Sequence, residues 1–231
     1  MAERKIPGAW HGSETRNKIL DESLKLFALK GFNAVSVRDI AKAVGIRMSS
    51  LYNYYASKDD LLEDVLARFE SGYRHYFSWL TGENANANSL EELMDNMFND
   101  EFLEMRDPIG CLGMSLITKE QHSNGSVRRR AFELFGDLSI NSLQADFDRL
   151  VEKGVIPKSD TKMVATFFIL CVIDMNNVRL HEYIGEKPPV DCAEIYRNLR
   201  KVLTSLLLQG QESPSGGKLR EPSHVEMAGN G

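Results

Sequence analysis

The chain has 231 residues, of which 42% are hydrophobic and 26% charged, so it can build one large domain or two small ones. Its net charge of -5 gives no sign of a nucleic-acid binder when the whole chain is considered. The charge is uneven, however: residues 1–60 carry ten basic and seven acidic side chains, and residues 61–231 carry 18 and 26. A mildly basic head on an acidic body is typical of a DNA-binding module on a larger domain, although chance would give the same imbalance.

Several functional classes lack their usual signals. The three cysteines have no metal-ligand spacing and stand among apolar neighbours, which indicates free thiols in a reducing cytoplasm. The first residues show no apolar stretch of the kind found in signal peptides, and the longest apolar run, FFILCVI at 167–173, is too short to span a bilayer. No catalytic, phosphate-loop or metal motif is present. We therefore expect a cytoplasmic protein that is not an enzyme and needs no cofactor, metal or membrane.

Helical periodicity starts at the first amphipathic segment. Residues 15–30 place apolar side chains on one face, and Gly31 is a helix stop. A short helix is predicted after Ser36, which has capping-box spacing with Asp39, and Gly45 ends it.

A second short helix is predicted at about 47–54, and a long one begins after Ser57, with an acid three residues later at Asp60. Two short helices joined by a glycine turn and braced by a third are helix-turn-helix geometry, here over residues 36–55. The second helix would lie in a major groove.

The rest of the chain is also predicted to be helical. Further helices are expected at 89–102, 110–121, 126–153, 160–183 and 191–209. Residues 210–231 are rich in Gly, Ser and Pro and are predicted to be a disordered tail. The fold class is therefore all-α, with about nine helices and no convincing strand pair.

The two faces of the second short helix differ in chemistry. If Leu51 points inward, Tyr54 and Tyr55 share its side, whereas Ser49, Tyr52 and Asn53 point outward. The outward groups can bond phosphates and base edges. The alternative is that the tyrosines are core and the serines only caps, which fits Tyr54 and Tyr55 better than Tyr52.

Lys58 lies in the first turn of the following helix, where its charge opposes the helix dipole. An anion bound at that helix start would offset this cost. The predicted DNA-contacting residues are Ser36, Arg47, Met48, Ser49, Ser50, Tyr52, Asn53 and Lys58.

The run SVRDIAKAVGIRMSSLYNYYASKDDLLEDVL, preceded by TRNKILDESLKLFALKGFNAV, closely resembles the DNA-binding domain of the tetracycline-repressor (TetR) family. The resemblance covers about residues 13–73. It implies a homodimeric, ligand-responsive regulator of transcription, most often a repressor, that binds palindromic operator DNA. It also implies that Tyr52 and Lys58 contact phosphates and that residues 47–53 read bases. The expected organisation is an N-terminal arm at 1–12, this domain at 13–73, and an effector-binding and dimerisation domain at 74–209.

Three residues depart from the family pattern. Arg47 stands where a small polar cap is usual, Asn53 where histidine is frequent, and Tyr55 where phenylalanine is usual. Arg47 leaves the capping of the recognition helix open and adds a long donor that could reach guanine or phosphate.

The acidic body resembles the family more loosely. The helices at 160–183 and 191–209 match the pair that forms the family's dimer interface, although their apolar residues could also pack within one subunit. A pocket for an apolar or aromatic effector is predicted from Met and Phe side chains, with plain core as the alternative: Met94, Met97, Phe98, Phe102, Met114, Phe132 and Phe135. The run Arg128–Arg130 is interpreted as a solvated helix face.

Two other functions stay open from the sequence. One is a transcriptional activator of the same fold, and the other is a helical interaction protein that never binds DNA. The salt dependence of DNA binding distinguishes a DNA-binding regulator from the interaction protein, because affinity for operator DNA falls steeply with ionic strength when phosphates are contacted.

Overall fold

The structure is a computed structural model that describes residues 14–98, 108–188 and 190–209. Side chains of Trp79, Pro108 and residues 82–85 lie outside the description. The described residues form nine helices and no strand. The helices are α1 (Glu14–Lys30), α2 (Val37–Val44), α3 (Met48–Tyr52), α4 (Lys58–Ala85), α5 (Leu90–Met97), α6 (Pro108–Glu120), α7 (Gly125–Ala131, Phe132–Ile140 and Asn141–Glu152 in succession), α8 (Thr161–Tyr183) and α9 (Cys192–Leu208). The predicted all-α class and helix number are confirmed; the predicted arm, tail and the end of the 89–102 helix lie outside the described residues.

The ends of α2 follow local sequence signals. The Ser36 hydroxyl accepts from the Asp39 N–H, and the Asp39 carboxylate accepts from the Ser36 N–H at 2.9 Å, which completes the predicted capping box. Gly45 has φ 82°, a left-handed conformation that favours glycine, and it ends the helix.

The recognition helix α3 is shorter than predicted. It ends at Tyr52, two residues before the predicted end. Its N-cap is Arg47, whose side chain makes no capping hydrogen bond. The open question about its cap therefore has a clear answer: α3 begins without the side-chain acceptor that Ser36 supplies to α2.

We call α1–α4 the head and α5–α9 the body, and the apolar core of the head continues into the body. Buried residues of α1–α4, such as Phe27, Ile40 and Leu51, belong to one apolar cluster with Ile117 on α6 and Leu134 on α7. The helix α4 also runs across the predicted domain border at 73/74. The head is thus packed on the body rather than joined to it by a flexible linker.

The helix α7 changes its winding in the middle. The predicted continuous helix is α-helical over Gly125–Ala131, π-helical over Phe132–Ile140 and α-helical again over Asn141–Glu152. Within the wide turns the Ser139 hydroxyl donates to the Leu134 carbonyl at 2.7 Å and bonds the Tyr73 hydroxyl at 2.6 Å. The π-segment is therefore tied to α4 at Tyr73.

The helix α8 packs against α6, α7 and α9 and leaves an apolar stripe outside. Met163, Phe167 and Leu170 are exposed on the stripe, whereas Phe168 is buried. By length and mean hydropathy, 1.5, α8 could cross a membrane, but the core helix of a soluble protein meets the same criteria. In this structure α8 packs on three neighbouring helices, and 33% of its most apolar stretch is buried.

Candidate functional site

The helix α3 is anchored on one side and open on the other. Leu51 is 2% exposed and Tyr55 is buried, so both hold the helix to the head. The opposite side shows Ser49, Asn53 and Tyr52, the last 48% exposed. The predicted division of faces is confirmed for these five residues, and the exposed Arg47 and Met48 and the half-buried Ser50 lie at the helix start.

Tyr54 was expected on the buried side, and that expectation is wrong. It is 40% exposed, because α3 ends at Tyr52 and the helical repeat no longer applies two residues later. The Tyr54 N–H donates to the Leu51 carbonyl at 2.9 Å, which places the residue in the turn after the helix. The exposed surface therefore carries a second tyrosine that the sequence pattern missed.

Tyr55 stands where the family usually has phenylalanine, and its hydroxyl makes hydrogen bonds that phenylalanine could not make. It donates to Asp64 Oδ2 at 2.9 Å and accepts from Arg16 Nε at 3.3 Å. Arg16 also pairs with Asp64 at 2.5 Å. Burial raises the pKa of Tyr55 to about 12, so its proton stays in place at neutral pH. This network ties the residue after α3 to α1 and α4.

Lys58 contacts the turn between α1 and α2. Its Nζ donates to the carbonyls of Phe32 and Val35, each at 2.9 Å, and lies 4.2 Å from the centre of the Phe32 ring. An ammonium has three donors, so one remains beyond these two carbonyls. Ser36 is exposed at the same turn, and its hydroxyl is engaged with Asp39 at 2.6 Å.

The same turn is held from the body by the end of α6. The buried carboxylate of Glu120 accepts from the Phe32 N–H at 2.8 Å, and Lys119 Nζ donates to the Ala28 carbonyl at 2.6 Å. The positive charge of Lys119 is favourable at the carbonyl end of α1, and the negative charge of Glu120 is favourable beside the Phe32 N–H. We call Lys119 and Glu120 the α6 clasp.

The arginine run at 128–130 is only partly a solvated face. Arg128 and Arg129 are exposed, as expected. Arg130, in contrast, forms ion pairs with Glu63 and Glu70 of α4 and is largely shielded from solvent. The prediction is therefore wrong for Arg130, whose side chain joins α7 to α4.

A cavity of about 110 Å³ lies between α4, α6 and α8. Its apolar side includes Phe69, Tyr73 and Tyr76 from α4 and Met114 from α6. Asn176 and Arg179 of α8 supply polar groups on the other side. Of the predicted effector-pocket residues that the structure describes, only Met114 lines this cavity.

The remaining predicted pocket residues lie elsewhere. Met94, Met97 and Phe98 are buried in a second apolar cluster, among α5, α8 and α9. Phe135 is half-buried with its ring centre 5.9 Å from that of Tyr73, and Phe132 is 69% exposed on the surface. Phe102 lies outside the described residues. Periodicity identifies an inward face, but a cavity depends on where neighbouring helices leave a gap.

Within the described part of the chain, no group of three or more His, Cys, Asp or Glu side chains is placed to hold a metal ion.

Comparisons with known proteins converge on one family. Residues 19–65 match the family described as bacterial regulatory proteins, tetR family. The HTH-type transcriptional repressor KstR2 of Mycobacterium tuberculosis (strain CDC 1551 / Oshkosh) is 34% identical over 83 residues, which are 34% of this chain and 38% of that protein. The regulator YttP of Bacillus subtilis is 28% identical over 85 residues, 37% of this chain and 41% of that protein. The chain thus spans about two fifths of the length of these two relatives.

The fold similarity extends into the body. The solved structure of the ketosteroid transcriptional regulator KstR2 of Mycobacterium tuberculosis superposes with a TM-score of 0.64 at 17% identity, covering 87% of this chain and 97% of that one. The described helices thus share the fold of that solved structure, and within the head residues 19–65 match the tetR family of bacterial regulatory proteins.

Proposed function

We propose that the protein is a homodimeric repressor that binds palindromic operator DNA through α3 and leaves it when a small effector occupies the cavity between α4, α6 and α8. The observation that carries the proposal is the polarity of α3: Leu51 is buried on one side, and Ser49, Tyr52 and Asn53 are exposed on the other. The name of the relative KstR2, a transcriptional repressor, supports repression over activation.

The exposed side of α3 fits a major groove. Ser49, Asn53 and Arg47 offer hydroxyl, amide and guanidinium groups to base edges, and Met48 offers an apolar contact for a thymine methyl. Tyr52 with Tyr54 beside it, Ser36 and the third donor of Lys58 are assigned to phosphates. Because Lys58 already holds the α1–α2 turn, phosphate contact there would also fix the head.

Two copies would meet through α8 and α9. Met163, Phe167 and Leu170 recur at spacings of four and three residues on the outside of α8, and Val202 is exposed on α9. Leu199 and Leu203 on α9 are buried inside the subunit, so each helix divides its apolar residues between core and surface. A two-fold interface on this stripe sets the spacing of the two recognition helices.

The helix α6 would transmit effector binding from the cavity to the helix-turn-helix. Its first half lines the cavity at Met114, and its last residues, the α6 clasp, bind the turn that carries the helix-turn-helix. At Gly113 a Cβ atom would lie 2.0 Å from the Phe69 ring, so α6 and α4 are in direct contact at this residue. An effector that fits a different α6 position would favour a head spacing that does not match DNA, and DNA would weaken effector binding by the same factor.

DNA binding is tested by selecting duplexes from a random library with the purified full-length protein. We expect a palindromic site, and affinity for it should fall as salt rises, with a slope of about 0.9 for each phosphate contacted. Lys58→Ala should lower that slope by about one per subunit with the same base preference, and Lys162→Ala, on the exposed start of α8, is the matched control.

Base reading is tested by repeating the selection with Arg47→Ala and Ser49→Ala. Each variant should change which bases are enriched, because we propose that these two side chains contact base edges. Equal weakening on every sequence would remove these two residues from base reading. If the parent protein enriches no duplex, the DNA-binding proposal fails and a helical interaction protein is the alternative. If the protein increases transcription from the selected site, it is an activator.

A further inference from the structure

The cavity between α4, α6 and α8 has room for one small ring. Its volume is about 110 Å³, somewhat less than the roughly 150 Å³ of an apolar cavity known to accept benzene. Pockets for drug-sized ligands are larger, about 300–1,000 Å³. A molecule that presents a single ring would therefore fill the cavity after a small adjustment of its walls, whereas two fused rings would need a larger one.

The side of the cavity formed by α4 is aromatic. Phe69 and Tyr73 line it with ring centres 5.8 Å apart and ring planes at 41°. Aromatic rings attract a further ring edge-to-face or in an offset stack. Met114 on α6 adds an adaptable apolar contact. These walls favour an aromatic ring over a saturated ring of similar size.

Tyr73 also contacts the π-helical segment of α7, residues 132–140. Its ring centre lies 5.9 Å from that of Phe135, and its hydroxyl lies 2.6 Å from Ser139 Oγ. Ser139 donates its one hydroxyl proton to the Leu134 carbonyl at 2.7 Å, so Tyr73 is the donor between the two hydroxyls. One side chain thus forms part of the cavity wall and holds the π-helical segment.

The Ser139 hydroxyl supports the π winding directly. It donates to the carbonyl five residues earlier, which is the span of a π-helical hydrogen bond. In α-helical segments of the same protein, threonine hydroxyls donate to the carbonyl four residues earlier, as at Thr81, Thr118, Thr166 and Thr204. Because Ser139 is fully buried, Tyr73 supplies the donor that water would supply at the surface.

The π-helical segment lies between two anchored parts of α7. Before it, Arg130 pairs with Glu63 and Glu70 of α4. After it, Phe147 is buried in the second apolar cluster. A change of winding between these anchors would rotate the part of α7 that holds α4 against the part that lies in the body core. The segment is therefore placed to pass a change at the cavity on to α4.

The cavity is space into which the Tyr73 ring can turn, away from Ser139, and an occupant would remove that space. We propose that the effector presents one aromatic ring to Phe69 and Tyr73 and, by filling this space, holds Tyr73 on Ser139 and locks the π winding of α7. This inference rests on the proposed function, since it names the ligand class and the response of the same cavity.

The ligand class is tested by calorimetric titration of the full-length protein with benzene, cyclohexane and naphthalene. We expect benzene to bind at least threefold more tightly than cyclohexane, which has six carbons but no π-face, and at least tenfold more tightly than naphthalene, which has two rings. Gly72 lines the cavity, and a Cβ atom there would meet nothing within 4 Å, so Gly72→Leu should weaken benzene binding at least tenfold. Ser71→Leu, at the exposed neighbouring residue of α4, is the matched control.

The response of α7 is tested by hydrogen exchange with and without saturating benzene. In the parent, benzene should slow exchange of residues 132–140 at least threefold more than that of residues 192–208. Ser139→Ala should speed exchange of residues 132–140 without benzene and remove this extra slowing, because Tyr73 loses its acceptor. Tyr73→Phe, which keeps the ring, should give the same result. Thr81→Val, which removes a hydroxyl bonded within α4, is the matched control and should respond as the parent does.

The outcomes separate this inference from the proposed function. Failure of benzene to bind at millimolar concentration, equal or tighter binding of cyclohexane or naphthalene, or unchanged benzene binding in Gly72→Leu would each overturn the one-ring aromatic ligand. Equal slowing of the two segments in the parent, or an undiminished extra slowing in Ser139→Ala or Tyr73→Phe, would overturn the lock on α7. Urea denaturation checks that the variants are folded. Failure of the ligand-free protein to select a duplex would instead overturn DNA binding, whatever benzene does.

Discussion

The head and the body of this protein obey different rules, although both are helical and share a core. In the head, short sequence signals predict several positions correctly: Ser36 caps α2, Gly45 ends it, and Leu51 anchors α3. In the body, residues with the same local pattern have different environments: Phe98 is buried, and Phe132 is exposed. Capping and stop signals therefore predict a residue's position from its own segment, whereas in the long helices the neighbouring helices determine which side chains are buried.

The largest expected difference in the free energy of unfolding is between truncation of an apolar side chain in the head and truncation of one in the body. Leu51→Ala removes a fully enclosed side chain and should lower the free energy of unfolding by about 2–5 kcal/mol. Phe132→Ala removes a side chain that is already in solvent and should change it by no more than about 0.5 kcal/mol. Urea denaturation measures both. Comparable losses would mean that Phe132 is covered in solution and would weaken the contrast.

The next largest change in the free energy of unfolding is expected from a buried acidic residue of the body, Asp146. Asp146 is buried, and burial raises its pKa to about 6, against the opposing effect of Arg149. The folded protein then holds a proton that the unfolded chain has released, so this group favours folding below pH 4 and loses that contribution as pH rises through 6. Asp146→Asn should raise the free energy of unfolding by about 2 kcal/mol at pH 7 and leave it unchanged near pH 3.

Denaturation of parent and Asp146→Asn across pH 3–8 measures this difference. Asp148→Asn is the control two residues away, where the side chain is only half-buried. A gain that is the same at every pH would show that titration of Asp146 is not its cause.

The α6 clasp tests how firmly the two regions are joined. Glu120→Ala leaves the Phe32 N–H without its buried acceptor and should cost about 1–3 kcal/mol, whereas Glu120→Gln keeps an acceptor oxygen and should cost less. A looser head should also tolerate two extra base pairs between the half-sites of the selected operator better than the parent does. Fluorescence anisotropy on both operators measures this tolerance. An alanine variant as selective for spacing as the glutamine variant would exclude the clasp from positioning the head.

The smallest contrast is between the two caps inside the head. Ser36→Ala removes the acceptor for the Asp39 N–H and should cost about 1 kcal/mol. Arg47→Ser supplies the side-chain acceptor that α3 lacks and should instead stabilise the protein by a few tenths to about 1 kcal/mol. Thermal unfolding of the two variants should shift in opposite directions. Destabilisation by Arg47→Ser would show that Arg47 has a structural role besides DNA contact.

The predicted homodimer, palindromic operator and effector response remain proposals, and they depend on different observations. The face of α3 supports DNA binding, the stripe on α8 supports dimerisation, and the cavity with the α6 clasp supports effector response. Each can therefore fail separately in the experiments above.

Local sequence predicts the helices, the caps of α2 and the inward position of Leu51, because these depend on contacts within a few residues. The sequence of the head also shows the resemblance to the tetR family, which the match over residues 19–65 supports. Only the tertiary structure decided that Tyr54 is exposed, that Tyr55 joins Arg16 and Asp64, and that Arg130 pairs with α4. The cavity lined by Arg179 likewise arises where α4, α6 and α8 fail to close against one another. Contacts between residues far apart in sequence leave no periodic signal in either segment, so the fold must be assembled before they can be seen.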